Sequence, residues 1–352
     1  MNTVQEYFLG TATPKGFHTD FGNVINAAGY YTYILKGGPG TGKSTLMKKV
    51  AEHFKDSPLS LYRCSSDINS LDAVVVEDKK IIIVDGTSPH VFDPIYPGVS
   101  QEIINLGSFW DKKYLSKHGK AIKHLADENQ KYHKTTRRYI EAIASINSDI
   151  YRHAENSLDK SKLSAYTERF AKKVLPKSNS HEKGKINYCQ LSAFTTEKYM
   201  TLPVTSDYSG YFIKDDFFAG GDFFLRKLAD IFTDNGYDVT VSKCYMLHEE
   251  IYEHLVCKPL GLVFTTGNFF NTHVPEGENI INFSRFYSKE KLSDKKHRMN
   301  FNKNAVTELS EEAALCLKTA LEIHDELEKY YINSLDLKKL SKMTEEFIQT
   351  LE

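Results

Sequence analysis

Cysteine is scarce and unorganised in this 352-residue chain: Cys64, Cys189, Cys244, Cys257 and Cys316 are scattered, and none belongs to a C-x-x-C pair. An odd, dispersed set argues against a disulfide framework and against a zinc ribbon, and it fits a reducing compartment. Long apolar runs are missing too. The longest, such as Ile81-Ile82-Ile83-Val84, fall far short of a bilayer span. Residues 1–10 lack the basic-then-apolar order of a secretory signal, so the expected location is the cytoplasm. Neither sign of charge is in excess. With 45 Lys+Arg against 46 Asp+Glu, the formal net charge of -1 offers no global field to nucleic acid or to an anionic membrane. What remains, 41% hydrophobic and 26% charged residues, is the composition of a globular chain with real cores. At about 150 residues per domain, the length predicts two domains or three.

The chain repeats itself once. Tyr33-Ile34-Leu35-Lys36, a glycine-rich loop and Leu46 to Phe54 have a counterpart in Tyr211-Phe212-Ile213-Lys214, a loop and Phe224 to Phe232, at an offset of 178. Ile103-Ile104-Asn105-Leu106 matches Ile280-Ile281-Asn282-Phe283, and Asn156-Ser157-Leu158-Asp159 matches Asn333-Ser334-Leu335-Asp336, both at 177. Ordered matches at one offset indicate duplication. The polar stretch Pro176 to Lys185 marks the boundary, giving domains 1–178 and 179–352.

Within each copy, short β-branched or aromatic runs flank one amphipathic helix. In the first they are Tyr31 to Leu35, the helix Lys43 to Phe54, Leu59 to Arg63, Ala73 to Val76 and Ile81 to Val84. This alternation predicts a parallel α/β sheet. From about Asp111 to Leu175, and from about Asp294 to Glu352, Gly and Pro nearly vanish and apolar residues recur at helical spacing. The expected fold is therefore two tandem α/β parallel-sheet domains, each a nucleotide-type core with an appended helical hairpin.

Gly37-Gly38-Pro39-Gly40-Thr41-Gly42-Lys43-Ser44 satisfies G-x-x-x-x-G-K-[ST], with an apolar strand before it and an amphipathic helix after it. Glycines let successive N–H groups point at phosphate oxygens, and the helix start adds its positive end. Lys43 is placed to reach the β/γ-phosphates and Ser44 to ligate Mg²⁺. The nucleotide-binding set is Gly37 to Ser44, with Thr45 following. Ile81 to Val84 ends in Asp85, the second Mg²⁺ and catalytic candidate. Residue 86 is Gly, where many ATP-hydrolysing domains carry a water-activating Glu. His90 is a candidate γ-phosphate sensor, transition-state donor or base, or alternatively a loop-packing residue. Asp67 or Asp72 is a candidate to orient water or a substrate hydroxyl, and Asp67 is alternatively a turn cap. The first copy has no N-K-x-D guanine motif, so ATP is favoured over GTP.

The second copy lacks this chemistry. Gly37, Gly38, Lys43 and Ser44 become Asp215, Asp216, Gly221 and Asp222, and Asp85 aligns with about Thr265. At roughly 5 Å and an effective dielectric near 20, each acid would cost a phosphate about 3 kcal/mol. The second copy is expected to brace the first by packing on it, to supply a residue in trans (Arg285 and Arg298 being candidates, with a solvated surface role the favoured reading for either), or to present a partner surface. Asp111 to Glu141 carries nine basic and four acidic residues, a candidate phosphate lid or a solvated face, whereas Glu311 to Tyr330 is acidic.

Tyr7 to Lys15, the loop Gly37 to Ser44, Asp85 to His90 and Ile103 to Gly107 together resemble a bacterial family of tandem P-loop ATP-binding proteins. That family occurs mainly in Firmicutes and is described as ATPase-like or nucleotide-kinase-like, and the resemblance spans the whole chain. It implies fold and ATP binding with no assigned substrate. In that family the second copy often keeps its own glycine-lysine loop, a pattern from which Asp215 to Asp222 departs. The expected function is a slow or regulated Mg-dependent ATPase that couples nucleotide to a conformational or partner change. The alternatives are a small-molecule or nucleotide kinase and a nucleotide-dependent regulatory binding module. ATP and Mg²⁺ are the expected cofactors; a protein partner is left open, and neither nucleic acid nor a membrane is expected.

Overall fold

The computed structural model describes residues 4–19, 21–88, 91–176, 182–204, 208–272 and 279–351. The first copy contributes β1 (Val4–Phe8), β2 (Gly10–Thr13), β3 (Gly16–Thr19), α1 (Phe21–Ile25), β4 (Tyr31–Lys36), α2 (Lys43–His53), β5 (Leu59–Arg63), β6 (Leu71–Val76), β7 (Ile81–Asp85) and β8 (Gln101–Asn105). Its tail is α3 (Lys112–Lys117), α4 (Gly119–Glu155) and α5 (Lys160–Val174). The second copy follows with β9 (Ile186–Cys189), β10 (Ser192–Thr195), β11 (Lys198–Thr201), β12 (Ser209–Lys214), α6 (Ala219–Asp234), β13 (Val239–Cys244), β14 (Ile251–Cys257), β15 (Leu262–Gly267) and β16 (Asn279–Asn282). Its tail is α7 (Lys289–Ser293), α8 (Lys296–Ser334) and α9 (Leu337–Gln349).

Each copy forms a six-stranded sheet, in the order β1-β5-β6-β7-β4-β8 and β9-β13-β14-β15-β12-β16. The two orders correspond strand for strand, and a register irregularity recurs at Tyr62/Arg63 and Ser242/Lys243. The sheets are mixed, which corrects the all-parallel expectation. β6 runs antiparallel to both β5 and β7, and β14 antiparallel to β13 and β15. The reason is connection length. Residues 64–70 join β5 to β6 and residues 77–80 join β6 to β7, whereas a parallel crossover needs a dozen residues or more.

Both faces of the first sheet are covered, which is why Ala73–Val76 in β6 and Ile81–Val84 in β7 read as apolar runs. On one face Leu46, Met47 and Val50 of α2 pack on Leu35, Val74, Val76 and Ile83. On the other, Phe21 and Ile25 of α1 pack on Ile34, Ala73, Val75, Ile82 and Val84. Full burial of each such side chain contributes about 1.5–3 kcal/mol.

The chain divides into two compact units that do not follow the contiguous halves 1–178 and 179–352. Unit 1 is Met1–Ala12, Phe17–Thr136 and Ala314–Glu352; unit 2 is Thr13–Gly16 and Arg137–Ala313. The cores stay on the expected sides, while the distal parts of the tails are exchanged. In unit 1, Leu340, Met343, Phe347 and Ile348 of α9 join the α2 core. There Trp110 bridges Leu335, Asp111 N donates to Ser334 O at 2.7 Å, and Asp336 N to Phe109 O at 3.0 Å. Unit 2 repeats the arrangement with the first copy's tail. Leu163 and Ala171 of α5 enter the α6 core, Leu158 bridges Tyr287, and Ser288 N donates to Ser157 O and Asp159 N to Phe286 O, each at 2.8 Å. Among the described residues, no helix is long and apolar enough to cross a membrane.

Candidate functional site

The loop Gly37–Gly42 leaves β4 at its carboxyl end and enters α2. Leu46, Met47 and Val50 bury one face of that helix, so packing fixes its start against the sheet edge. Gly40 and Gly42 have φ of 64° and 83°, a region that strains any residue with a Cβ. Thr41 is buried, and its hydroxyl donates to Gly38 O at 2.8 Å. Lys43 Nζ donates to Gly37 O at 3.0 Å and Gly38 O at 2.9 Å, and stands 3.6 Å from Asp85 Oδ2. Ser44 Oγ accepts from Leu71 N at 3.0 Å, which leaves its hydroxyl proton and a second lone pair available. Thr45 is exposed.

Asp85 closes β7 beside the loop, and its Oδ1 accepts from Thr87 N at 2.8 Å. The β6–β7 register pairs Ala73 with Val84; carried one residue further, it sets Asp72, a buried carboxylate, opposite Asp85. The structure therefore brings Lys43, Ser44, Asp72 and Asp85 to one edge of the sheet. Burial, with Asp72 nearby, pushes the Cys64 thiol well above its ordinary range, so Cys64 is no nucleophile there.

Asp67 does something else. Its Oδ1 accepts from Asn69 N at 3.1 Å, its Oδ2 takes the Ser70 hydroxyl, and its carbonyl accepts from Ser70 N at 2.9 Å. It organises the β5–β6 turn, which is the alternative role read from sequence. His90 lies outside the described residues. Gly86 has a steric cause: a Cβ there would meet Ile34 Cγ2 at 2.3 Å. No glutamate fits after Asp85 without displacing the Ile34 side chain.

Sequence reasoning missed the second copy's tail. Glu328 Oε1 of α8 accepts from Gly40 N at 2.9 Å. A Cβ at Gly38 would lie 3.0 Å from Tyr331 Cε1 and 3.3 Å from Trp110 Cζ2. The Trp110 and Tyr331 rings lie 5.4 Å apart between centroids, tilted at 52°, and the Trp110 indole N–H is buried without an acceptor among the described residues. A tail-to-core contact spanning nearly 300 residues leaves no periodic signal. Only the acidic character of Glu311 to Tyr330 hinted at a charged face.

The corresponding loop in unit 2 is filled from within. Asp215 is buried, and its Oδ2 accepts from Gly221 N at 2.7 Å and its Oδ1 from Phe217 N at 3.2 Å. Tyr287 Oη donates to the same carboxylate at 2.8 Å and accepts from Gly220 N at 2.7 Å. A side-chain carboxylate and a phenol thus occupy the amides of Phe217, Gly220 and Gly221. Burial raises the Asp215 pKa against these hydrogen bonds. Phe218 keeps φ at 67°, close to the 64° of Gly40 at the equivalent position. Asp222, in the place of Ser44, accepts from Tyr252 N at 2.8 Å and from Arg226 Nε at 2.7 Å. Asp216 pairs with Lys303 at 3.7 Å. The counterpart of Asp85 is Thr266, one residue beyond the sequence alignment, because Leu35 pairs with Asp85 as Ile213 pairs with Thr266. Arg285 stacks on Tyr166 and Phe286, and Arg298 is held by Asp149. Both arginines therefore have structural partners inside unit 2.

A second polar cluster is sealed inside unit 2. Glu253 Oε2 accepts from Tyr199 Oη at 2.7 Å, and Asn271 Nδ2 donates to Thr201 Oγ1 at 2.7 Å. Thr266 N donates to His254 Nδ1 at 3.2 Å, and His254 Nε2 lies 2.7 Å from Ser192 Oγ. With Nδ1 accepting, the neutral ring carries its proton on Nε2 and gives it toward Ser192, the reverse of what an activated nucleophile requires. Burial lifts the Glu253 pKa to about 7 and the Tyr199 phenol well above its usual value. His254 and Glu253 are essentially unexposed, so this cluster organises the core.

Comparison with protein-family models, with curated proteins and with solved structures finds no match to this chain.

Proposed function

We propose that unit 1 binds Mg-ATP at Gly37–Ser44 and is a slow or regulated ATPase that couples the nucleotide to a conformational or partner change. The observation that carries this reading is Lys43. Its ammonium lies folded over the loop between the Gly37 and Gly38 carbonyls, 3.6 Å from Asp85. The residues fit the group. A Cβ at Gly37 would meet Thr41 Oγ1 at 2.5 Å, so the loop's shape needs glycine there. A hydroxyl and two carboxylates then stand at the sheet edge for a hard cation with oxygen ligands. Mg²⁺ bound there would neutralise charge developing on the γ-phosphoryl oxygens. In this reading Ser44 and Asp85 hold the ion directly or through water. Lys43 turns from the loop carbonyls to the phosphates, and Asp72 orients water at the ion.

Phosphoryl transfer to an acceptor is the second reading, favoured by Gly86, where Ile34 leaves no room for a water-activating side chain. The test is phosphate release from Mg-ATP by the full chain beside Lys43→Ala. Release that disappears in the variant supports the ATPase. ATP bound without release, and ADP formed only when an acceptor is added, supports the kinase. Absence of Mg-ATP binding by the wild-type chain refutes both.

A further inference from the structure

The Gly40 amide belongs to the loop that the nucleotide reading assigns to phosphate, yet it is engaged by a side chain from the second copy. Glu328 Oε1 accepts from it at 2.9 Å. The same helical turn presses close: a Cβ at Gly40 would meet Ile332 Cγ1 at 2.9 Å and the Glu328 carbonyl at 3.0 Å. This placement is built into the duplicated architecture. Tyr151, at Glu328's position in the first copy's tail, reaches the loop of unit 2, where its hydroxyl donates to Asp222 at 3.2 Å. Unit 2 also shows a side-chain carboxylate on this chain's own loop amides, through Asp215.

One N–H serves one strong anionic acceptor well, and two anions brought together there repel each other. We propose that Glu328 is an internal competitor of the nucleotide's phosphates. It holds Gly40 N in the nucleotide-free chain and withdraws when Mg-ATP binds. Its alternative partner is His324 on the same helix face, whose Nδ1 lies 3.8 Å from Oε1. Nucleotide occupancy is thereby transmitted to the end of α8, where the Tyr331 ring lies tilted against Trp110. The inference rests on the nucleotide reading above and adds its regulation.

Trp110 is the chain's single tryptophan, so its fluorescence reports directly on the loop and tail. The experiment titrates Mg-ATP into the full-length wild type, Glu328→Gln, Glu328→Ala and Lys43→Ala, following that signal and equilibrium dialysis of labelled ATP. Gln removes the charge and keeps an acceptor; Ala removes both. The expected result is tighter binding in the order Ala, Gln, wild type, with about ten- to a hundredfold between the extremes, and loss of binding in Lys43→Ala. The Trp110 signal is expected to change on ATP addition in the wild type, and by less in Glu328→Ala. Binding that needs Lys43 but is unchanged or weakened by both Glu328 variants overturns the competitor and leaves the nucleotide site standing. No binding by any of the four proteins overturns the nucleotide reading, and the competitor with it.

Discussion

Glu253 gives a pH dependence whose size follows from its surroundings. The carboxyl is buried on β14, with Tyr199, Asn271 and Ser192 as its hydrogen-bonding neighbours and His254 Nε2 3.5 Å away. Desolvation outweighs those contacts and lifts its pKa from 4.5 to about 7. A folded-state value above the unfolded one means the native state binds the proton more tightly. Its contribution to stability is then full below about pH 4.5 and is lost as pH rises through about 7. Two and a half units correspond to about 3 kcal/mol. The assay is urea unfolding of the full chain at half-unit steps from pH 4.5 to 8.5, following a far-ultraviolet signal. Asp215 and Asp222, also raised by burial, add slope of the same sign, so Glu253→Gln is run in parallel. The difference in unfolding free energy between variant and wild type isolates Glu253. It should move in the variant's favour by about 3 kcal/mol between pH 4.5 and 8. A difference constant across that range would show that Glu253 is ionised at neutral pH in the folded chain, and the desolvation argument would fail.

Two further outcomes follow from the loops and the sheet edge. Gly86→Ala should lower stability by about 1–3 kcal/mol, because its Cβ would need the space of Ile34, and Gly86→Glu should create no faster phosphate release; a thermal melt beside a phosphate assay checks both. Asp215→Ala strands the Gly221 and Phe217 amides and the Tyr287 hydroxyl. It should cost about 2–4 kcal/mol, with Asp215→Asn losing less because one acceptor oxygen remains; equal losses in denaturant titrations would contradict this.

The repeat was legible because its matching letters are caps and turns rather than general composition. Asn105 and Asn282 each accept a backbone amide two residues on, from Gly107 and Ser284, at the start of a short helical turn. Asp159 and Asp336 each cap the short tail helix by accepting from Lys162 and Lys339. Such residues are fixed by local backbone geometry, so they persist through duplication and can be read in one dimension. The Gly37–Ser44 motif was legible for a related reason, since its glycines, Thr41 and Lys43 act on backbone within a few residues, whereas the contact of Ser44 with Leu71 N, 27 residues on, left no local mark. Strand direction was not: the alternation of apolar runs is identical for parallel and antiparallel neighbours, and only the brevity of residues 64–70 and 77–80 pointed to reversal. The exchange of tails was invisible, because Leu340 or Leu163 needs an apolar surface and carries no label for which copy supplies it.

That exchange changes what the second copy's lost loop means. A core whose loop amides at Phe217, Gly220 and Gly221 are taken by Asp215 and Tyr287 nonetheless has a tail that places Glu328, Tyr331 and Leu340 around the first copy's loop. The contacts of Asp215 lie within its own copy's core, whereas Glu328 acts on the loop that retains its lysine. In the first copy's tail the equivalent position is Tyr151, neutral and bound to Asp222. The two tails thus occupy equivalent positions and carry opposite chemistry. Each suits the loop it covers: a donor where the loop has gained a carboxylate, an acceptor where it has kept its amides.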